Sequence, residues 1–168
     1  MIWNDEIKFH YNAKNKWFYA RYIEDGIVCE IAFKEHYRRV MSAKFFCYEV
    51  LFAVGNSVES CHFRMGHDDC TKIVTEMKGL KYLIWAYKAL QDFEKYVLAM
   101  RGGRKHNEGI ALTICSTNKK EMQVLDKILN KLGYRENYFD TRTIYGDKKI
   151  DHFLYKVLKN NGRSIVKL

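Results

Sequence analysis

The segment CHFRMGHDDC, residues 61–70, contains two Cys and two His, the side chains that most often bind zinc in proteins. Structural zinc sites take their ligands as pairs from two separated turns, and the sequence has no second pair. The pattern over residues 57–65 favours a strand, in which Cys61 and His62 point to opposite faces of the sheet. The sequence therefore predicts no metal site, and it predicts a turn at residues 67–69.

Motifs for nucleophilic catalysis and phosphate binding are the next candidates. The sequence has no GxxxxGK[ST] loop, no HExxH and no GxSxG. Cys115 is a candidate thiol nucleophile, although no His follows it at an informative spacing. His36, His62 and His152 are isolated in the sequence, which is typical of structural or exposed histidines. Spacing alone therefore identifies no catalytic motif.

The composition indicates a globular protein with a positive charge. The chain has 168 residues, of which 48% are hydrophobic and 15% aromatic, enough for one domain with a buried core. Lys and Arg number 29 against 20 Asp and Glu, which gives a formal net charge of +9. Such a charge favours a nucleic acid, a phosphorylated cofactor or an acidic protein as partner. The densest basic run, RGGRKH at 101–106, is typical of a solvated loop.

The sequence also predicts a compartment. Lys, Glu or Asp interrupts every long apolar stretch, so we expect no membrane-spanning helix. The first ten residues, MIWNDEIKFH, are acidic where a signal peptide would be basic and then apolar. The five cysteines have no regular spacing, which is typical of free thiols in a reducing compartment. We therefore expect a cytoplasmic protein. The absence of Pro, beside many Lys, Asn and Tyr, suggests an AT-rich coding sequence, as in many phages.

The first half of the chain is predicted to form mainly strands. Alternating apolar residues on both sides of Asp25-Gly26 predict a β-hairpin over residues 19–33, because Asp-Gly is a preferred two-residue turn. Residues 34–41 favour a short basic helix. Residues 45–65 are predicted to form two strands that turn at 55–57. A further strand is predicted over residues 70–77.

In the second half the hydrophobic period changes to that of a helix. This helix begins at Leu80, runs to about Met100 and is closed by two glycines at 102–103. Its predicted apolar face consists of Leu80, Leu83, Ile84, Tyr87, Leu90, Phe93 and Val97. Residues 110–116 are nearly all apolar, which is the pattern of a buried strand.

A capped helix and a hairpin complete the predicted elements. The helix begins at Asn118, has Glu121 as its capping-box partner, and ends at Gly133. Residues 141–158 predict a hairpin that turns at Gly146, and a basic tail follows. The order of these elements indicates an α+β protein with βαβ geometry in its second half.

The run from residue 70 to 158 resembles the core of the GNAT acetyltransferase superfamily. There a strand leads into a long helix, followed by a splayed strand, a helix ending in Leu-Gly-aromatic, and a closing hairpin. The matching segments are CTKIVTEMKGLKYLIWAYKAL, IALTICSTNKKEM, KILNKLGYREN and TIYGDKKIDHFLYKVL. The resemblance implies one domain with a mixed, mostly antiparallel central sheet flanked by helices. Its core would span 46–158, after an N-terminal hairpin and helix part at 1–45 and before a basic tail at 159–168.

The resemblance implies that the protein moves an acetyl group from acetyl-CoA to an amine acceptor. Two parallel strands that splay apart leave backbone amides for the pantetheine arm, and the next helix N-terminus accepts the pyrophosphate. The splayed pair would be 70–77 and 110–116. The implied cofactor-binding residues are Met77, Lys78, Gly79, Leu80, Lys81 and Asn118. Asn118 serves equally well as a helix N-cap.

The sequence departs from the family pattern at the phosphate cradle. The family has Arg or Gln, two residues, Gly, one residue, then Gly or Ala, and of these only Gly79 is retained. Glu76 occupies the first position and Lys81 the last. Lys78 and Lys81 either contact phosphate directly or belong to an ordinary helix surface.

The catalytic residues that the resemblance implies are also altered. Many relatives use a Tyr to protonate the departing thiolate, and Leu129 occupies that position here. The substitutes are Cys115 or Ser116 at a strand end, and Tyr145 on the last hairpin. By position, the general base for the amine is Glu59 or Glu76.

Two other functions are compatible with these residues. The first is a catalytically inactive protein of this fold, a phage-type effector that docks on an acidic surface of a host protein. The second is a basic nucleic-acid binder that stacks bases on the aromatic residues around Trp17 and Tyr22. Neither the acceptor nor the oligomeric state can be predicted from the sequence.

Overall fold

A computed structural model of the protein describes residues 6–40, 43–66, 80–101, 109–115, 119–137 and 153–159. In these residues the chain has an α+β structure with a mostly antiparallel, open sheet. It divides into two compact units. Unit 1 comprises Met1–Lys34 and Leu51–Ala99, and unit 2 comprises Glu35–Val50 and Met100–Leu168. No helix in the described ranges is long and apolar enough to cross a membrane.

Four strands contribute to unit 1, in the hydrogen-bonded order β1-β2-β3-β4. They are β1 (His10–Asn12), β2 (Trp17–Glu24), β3 (Ile27–Val40) and β4 (Ala43–Gly55). β1 and β2 are antiparallel, as are β2 and β3. β3 and β4 are long strands, and each has residues in both units.

The Asp-Gly hairpin prediction is confirmed. Asp25 and Gly26 both have positive φ angles, 50° and 74°, as the two central residues of a type I′ turn require. The turn aligns Glu24 with Ile27 and Arg21 with Glu30. The register of this hairpin therefore follows from two residues of the sequence.

Two predictions for the first half are wrong. Residues 34–41 were expected to form a short helix, but β3 continues as a strand to Val40, as a member of the sheet between β2 and β4. The second strand expected within 45–65 is instead helix α1 (Val58–Gly66). The apolar residues of α1 recur at helical spacing, and Val58, Cys61 and Met65 all join one core cluster.

The long helix is confirmed as α2 (Leu80–Arg101). Its buried face differs from the predicted one at the N-terminal end, where Leu80, Leu83 and Ile84 are exposed. The buried residues are Tyr82, Trp85, Ala86, Ala89, Leu90, Phe93 and Val97. At this end of α2, Tyr82 and Trp85 therefore pack into the core in place of the predicted aliphatic residues.

The core of unit 1 has two parts. The cluster that includes Val58, Cys61 and Met65 also contains Trp17, Val28, Ala32 and Ala53. An aromatic cluster joins α2 to the strands, with Phe33 and Phe93 stacked at 3.6 Å between ring centres and 8° between planes. The ring of Phe9 packs edge-on against both of these rings. The segment before β1 is thereby fixed to the core of unit 1.

Unit 2 has the strand order β3-β4-β5-β7-β6. Its remaining elements are β5 (Gly109–Cys115), helix α3 (Lys119–Leu129), a 3-10 turn (Asn130–Leu132), β6 (Arg135–Asn137) and β7 (Phe153–Lys159). β5 runs parallel to β4, while β7 is antiparallel to both β5 and β6. The predicted buried strand is confirmed as β5 and the predicted helix as α3, while its predicted N-cap, Asn118, lies outside the described residues.

The end of this helical segment is also as predicted. Gly133 is the C-cap, with a φ of 91° in the left-handed region, and its N–H donates to the carbonyl of Asn130 at 3.0 Å. The N–H of Tyr134 donates to the carbonyl of Leu129 at 3.1 Å. The predicted strand at 70–77 and the predicted turn at Gly146 lie outside the described residues.

Candidate functional site

The predicted site residues are distributed between the two units. Glu59 is exposed in the first turn of α1, and Leu80 and Lys81 begin α2, all in unit 1. Cys115 is the last residue of β5, in unit 2. The other predicted residues, which are Glu76, Met77, Lys78, Gly79, Ser116, Asn118 and Tyr145, lie outside the described part of the chain.

Lys81 is the charged residue of the predicted phosphate cradle that the structure describes. It forms an ion pair with Glu24 of β2, and its ammonium lies 5.2 Å from the centre of the Tyr82 ring. A lysine already paired with a carboxylate offers less charge to a phosphate, so these contacts favour its role on an ordinary helix surface. The phosphate-binding role of residues 77–81 stays a prediction.

The parallel pair of unit 2 is β4 and β5. Their Cα partners run from Phe45↔Gly109 to Glu49↔Thr113. β5 continues for two further residues, which pair only with β7 in the described register. The expected splayed pair was 70–77 with 110–116. Residues 70–77 lie outside the described residues, among which the parallel neighbour of β5 is β4. The described parallel register therefore ends at Thr113, two residues before the end of β5.

A histidine and a carboxylate meet at the end of this parallel register. His36 Nε2 on β3 lies 3.2 Å from Glu49 Oε2 on β4. Glu49 is the last β4 residue paired with β5 in the described register. The exposed fractions of the two side chains are 17% for Glu49 and 26% for His36, so solvent can reach both. A carboxylate that holds an imidazole in one orientation is a common arrangement for proton transfer.

A second polar network of unit 2 surrounds Tyr48. Arg101 Nε donates to Tyr48 Oη at 2.5 Å and Arg101 Nη2 donates to Glu35 Oε2 at 2.7 Å, while the Tyr48 hydroxyl donates to the same carboxylate at 3.3 Å. The guanidinium carbon lies 4.0 Å from the centre of the Phe46 ring. Burial, and then the negative charge of Glu35, raises the pKa of Tyr48. These contacts indicate a network that stabilises unit 2.

Unit 1 contains a buried carboxylate with two basic partners. Glu30 is fully buried, Arg21 Nε donates to its Oε2, and His62 Nε2 lies 2.9 Å from its Oε1. The guanidinium carbon of Arg21 lies 4.5 Å from the centre of the Tyr19 ring, and the His62 ring packs edge-on against Trp17. A buried carboxylate needs such partners, because an unpaired buried charge strongly destabilises the fold.

Cys61 and His62 of the CHFRMGHDDC segment are engaged with different partners. The Cys61 thiol donates to the carbonyl of Val28 at 3.4 Å, while His62 contacts Glu30. Within the described residues, no group of three or more His, Cys, Asp or Glu is placed to hold a metal ion. His67 and Cys70 lie outside those residues.

A cavity of about 580 Å³ lies in unit 1 beside Arg21. Its lining consists of Glu6, Ile7, Lys8, His10, Tyr19, Arg21, Tyr22 and Trp85. The lining therefore combines aromatic rings with both signs of charge, and Arg21 links it to the buried Glu30.

Sequence reasoning did not identify Arg21–Glu30 or His36–Glu49. The first pair has a sequence signal, because a two-residue turn at Asp25-Gly26 aligns position 21 with position 30. The His36–Glu49 pair has no such sequence signal. It depends on how the long strands β3 and β4 pair, and no short turn motif determines their register.

Comparisons of this chain with models of protein families, with curated proteins and with solved structures find no match. Its function is therefore argued from the geometry of the described sites.

Proposed function

We propose that the protein transfers an acetyl group from acetyl-CoA to an amine acceptor. The observation that carries the proposal is the parallel β4–β5 pair, whose register ends at Glu49↔Thr113 beside the Glu49–His36 pair. The end of a parallel strand pair next to a proton acceptor suits acyl transfer, in which a thioester is positioned and the attacking amine loses a proton.

The order of elements in unit 2 supports this proposal. Helix α3 is followed by Leu132-Gly133-Tyr134, with Gly133 in the left-handed cap, and then by the antiparallel strands β6 and β7. This is the order of helix, Leu-Gly-aromatic and closing strands on which the resemblance to GNAT acetyltransferases rests. Fold likeness supports a function less strongly than a site does, so the chemistry has to be tested directly.

The described residues fit one part of the cofactor. Coenzyme A, when bound, supplies the acyl group as a thioester, and the backbone of β5 beyond Thr113 has an edge that suits the amides of a pantetheine arm. The Lys81–Glu24 ion pair leaves less positive charge for the pyrophosphate at the start of α2. The proposal therefore assigns the thioester arm to the β4–β5 pair of unit 2.

The proton chemistry is assigned to the Glu49–His36 pair. The amine loses a proton as it attacks the thioester carbon, and the imidazole of His36, held by the carboxylate of Glu49, accepts it. The departing thiolate gains a proton from the predicted acid, Cys115 or Tyr145. His36, held by Glu49, is thus proposed as the base in place of Glu59, which is exposed on α1.

Isothermal titration of acetyl-CoA, beside a thermal melt with and without the cofactor, tests the binding step. Binding in the micromolar range supports the proposal. It should be accompanied by a higher melting temperature, because a ligand that binds only the folded protein stabilises it. Absence of binding at millimolar acetyl-CoA contradicts it. Release of free thiol in the presence of a panel of small amines then tests turnover.

The base assignment is tested by comparing His36→Gln with Glu59→Gln. We expect His36→Gln to lower thiol release by about 100-fold, the usual contribution of a general base, with little change in acetyl-CoA affinity. Glu59→Gln should retain the wild-type rate. The reverse pattern would return the assignment to Glu59.

One observation favours a second function, a catalytically inactive binding protein of the same fold. Lys81 is engaged with Glu24, and the cradle pattern is altered at both ends. Such a protein would show no stabilisation by acetyl-CoA, so the same melt distinguishes the two functions. The nucleic-acid alternative is less favoured, because Trp17 and Phe18 are buried and are not exposed for base stacking.

A further inference from the structure

Two of the segments that line the cavity of unit 1 are anchored by aromatic contacts. Phe9 packs into the aromatic cluster through Phe33 and Phe93, and it fixes the segment that carries Ile7 and Lys8. His10 pairs with Tyr19 across β1 and β2, with ring centres 5.5 Å apart. A cavity of about 580 Å³ also lies within the range of roughly 300–1,000 Å³ that is usual for small-molecule sites.

Arg21 gives this cavity a cation with a fixed position. Its Nε is bound to the fully buried Glu30, and its guanidinium lies 4.5 Å from the centre of the Tyr19 ring. An arginine has five N–H donors in a planar fork, which matches the oxygens of a carboxylate or a phosphate. Because Glu30 also contacts His62, its single charge is shared between two basic groups.

The other lining residues add positive charge and flat aromatic surface. Lys8 adds a second cation to the lining and His10 an imidazole, against one lining carboxylate, Glu6. Tyr22 and Trp85 also line the cavity, and their rings are stacked with centres 6.1 Å apart and planes 29° apart. Aromatic walls of this kind favour a planar ring, and the basic groups favour an anion.

We propose that this cavity binds a small ligand that consists of a planar aromatic ring and one anionic group, either a carboxylate or a phosphate. Arg21 and Lys8 contact the anionic group, and Tyr19, Tyr22 and Trp85 contact the ring. This proposal goes beyond acyl transfer and does not depend on it, since all of these residues belong to unit 1.

Isothermal titration with three matched probes tests the proposal. The probes are 1-naphthylacetate, 1-naphthyl phosphate and the uncharged 2-(1-naphthyl)ethanol, none of which shares a group with the adenosine of coenzyme A. We expect at least one anion to bind about tenfold more tightly than the alcohol, the usual effect of a charge-assisted hydrogen bond. Stronger binding of the acetate or of the phosphate identifies the anionic group. Equal affinity for all three probes, or no binding at millimolar concentration, overturns the proposal.

Variants then assign the binding to this cavity. Lys8→Ala removes an exposed lining cation and should weaken anion binding severalfold, while Lys14→Ala, an exposed lysine in the turn between β1 and β2, should not. Arg21→Lys keeps a charge beside Glu30 but loses the planar fork, so we expect about tenfold weaker binding. An equal effect of Lys8→Ala and Lys14→Ala would overturn the proposal even if Arg21→Lys failed to fold.

Discussion

His62 Nε2 lies 2.9 Å from Oε1 of Glu30, a carboxylate that is fully buried between β2, β3 and α1. The second oxygen of Glu30 accepts the Nε hydrogen of Arg21. The hairpin and the helix that follows β4 are therefore joined through one charged side chain. This arrangement makes Glu30 a more critical residue than its position in an ordinary strand would indicate.

We expect Glu30→Gln to lower the free energy of unfolding by about 3 kcal/mol, because it removes the charge that two partly buried basic groups face. Urea unfolding followed by circular dichroism measures this change. The matched control is Asp92→Asn, which breaks the pair of Asp92 with Lys88 on α2, 2.5 Å apart, where the carboxylate is 25% exposed instead of fully buried. That pair is of the i,i+4 type and is worth only about 0.3–0.5 kcal/mol. Similar losses in the two variants would show that Glu30 is not a critical link.

Tyr48 should make stability depend on pH in the alkaline range. Burial, and then Glu35, raises its pKa in the folded state above the ordinary value of 10.0. Above pH 10.0 the unfolded chain loses this proton while the folded protein keeps it, so stability is full below that pH and falls as pH rises. Tyr48→Phe removes this contribution. Urea unfolding at pH 8, 9, 10 and 11 should therefore show a steeper decline above pH 10.0 in the wild type than in the variant.

The same variant also tests the network around Tyr48 at neutral pH. Loss of the hydroxyl removes the acceptor of Arg101 Nε and the donor to Glu35, which should cost about 1–2 kcal/mol. Parallel pH profiles for the wild type and Tyr48→Phe would contradict the assigned pKa shift, whatever the loss at neutral pH.

The elements that could be predicted from the sequence are those with a strong local signal. Asp25-Gly26 determines a hairpin by its turn chemistry, and Gly133 ends a helical segment because it adopts positive φ without a side-chain clash. The long helix α2 and the apolar strand β5 have enough residues for their patterns to be unambiguous.

The two elements predicted wrongly have weak or divided local signals. α1 has only nine residues, and the spacing of Val58, Cys61 and Met65 fits a helix while neighbouring residues also alternate. Residues 34–40 have the polar composition of a helix surface, but pairing with adjacent strands determines their structure. The site pairs His62–Glu30 and His36–Glu49 depend on these elements, so they could not be predicted either.

Gly133→Ala tests the left-handed cap at the end of the α3 segment. A Cβ at this position would lie 3.5 Å from the nearest atom of Lys156, which is ordinary contact, so the cost arises from the φ of 91° alone. We expect a loss of about 1 kcal/mol in unfolding free energy. Gly133→Asn should lose less, because Asn adopts this conformation more readily. Equal losses for Ala and Asn would mean that crowding rather than backbone strain determines the residue.

Gly55→Ala tests how β4 is joined to α1. Ser57 is the N-cap residue of α1, since the N–H of Ser60 donates to Ser57 Oγ at 3.1 Å and the N–H of Ser57 donates to Ser60 Oγ at 3.3 Å. A Cβ on Gly55 would overlap Ser60 Oγ, so the variant must displace the hydroxyl from its partner. We expect a loss of about 1–3 kcal/mol in unfolding free energy, the range typical of overpacking.

A double variant separates this overlap from any other effect of the added methyl group. Ser60→Ala alone should cost about 1 kcal/mol, because it removes one half of the reciprocal cap. Gly55→Ala with Ser60→Ala removes the atom that the new Cβ would overlap, so its unfolding free energy should match that of Ser60→Ala alone. Urea unfolding of the four proteins gives the coupling between the two positions directly. If the two losses simply add, the overlap with the Ser60 hydroxyl is not what requires glycine at position 55.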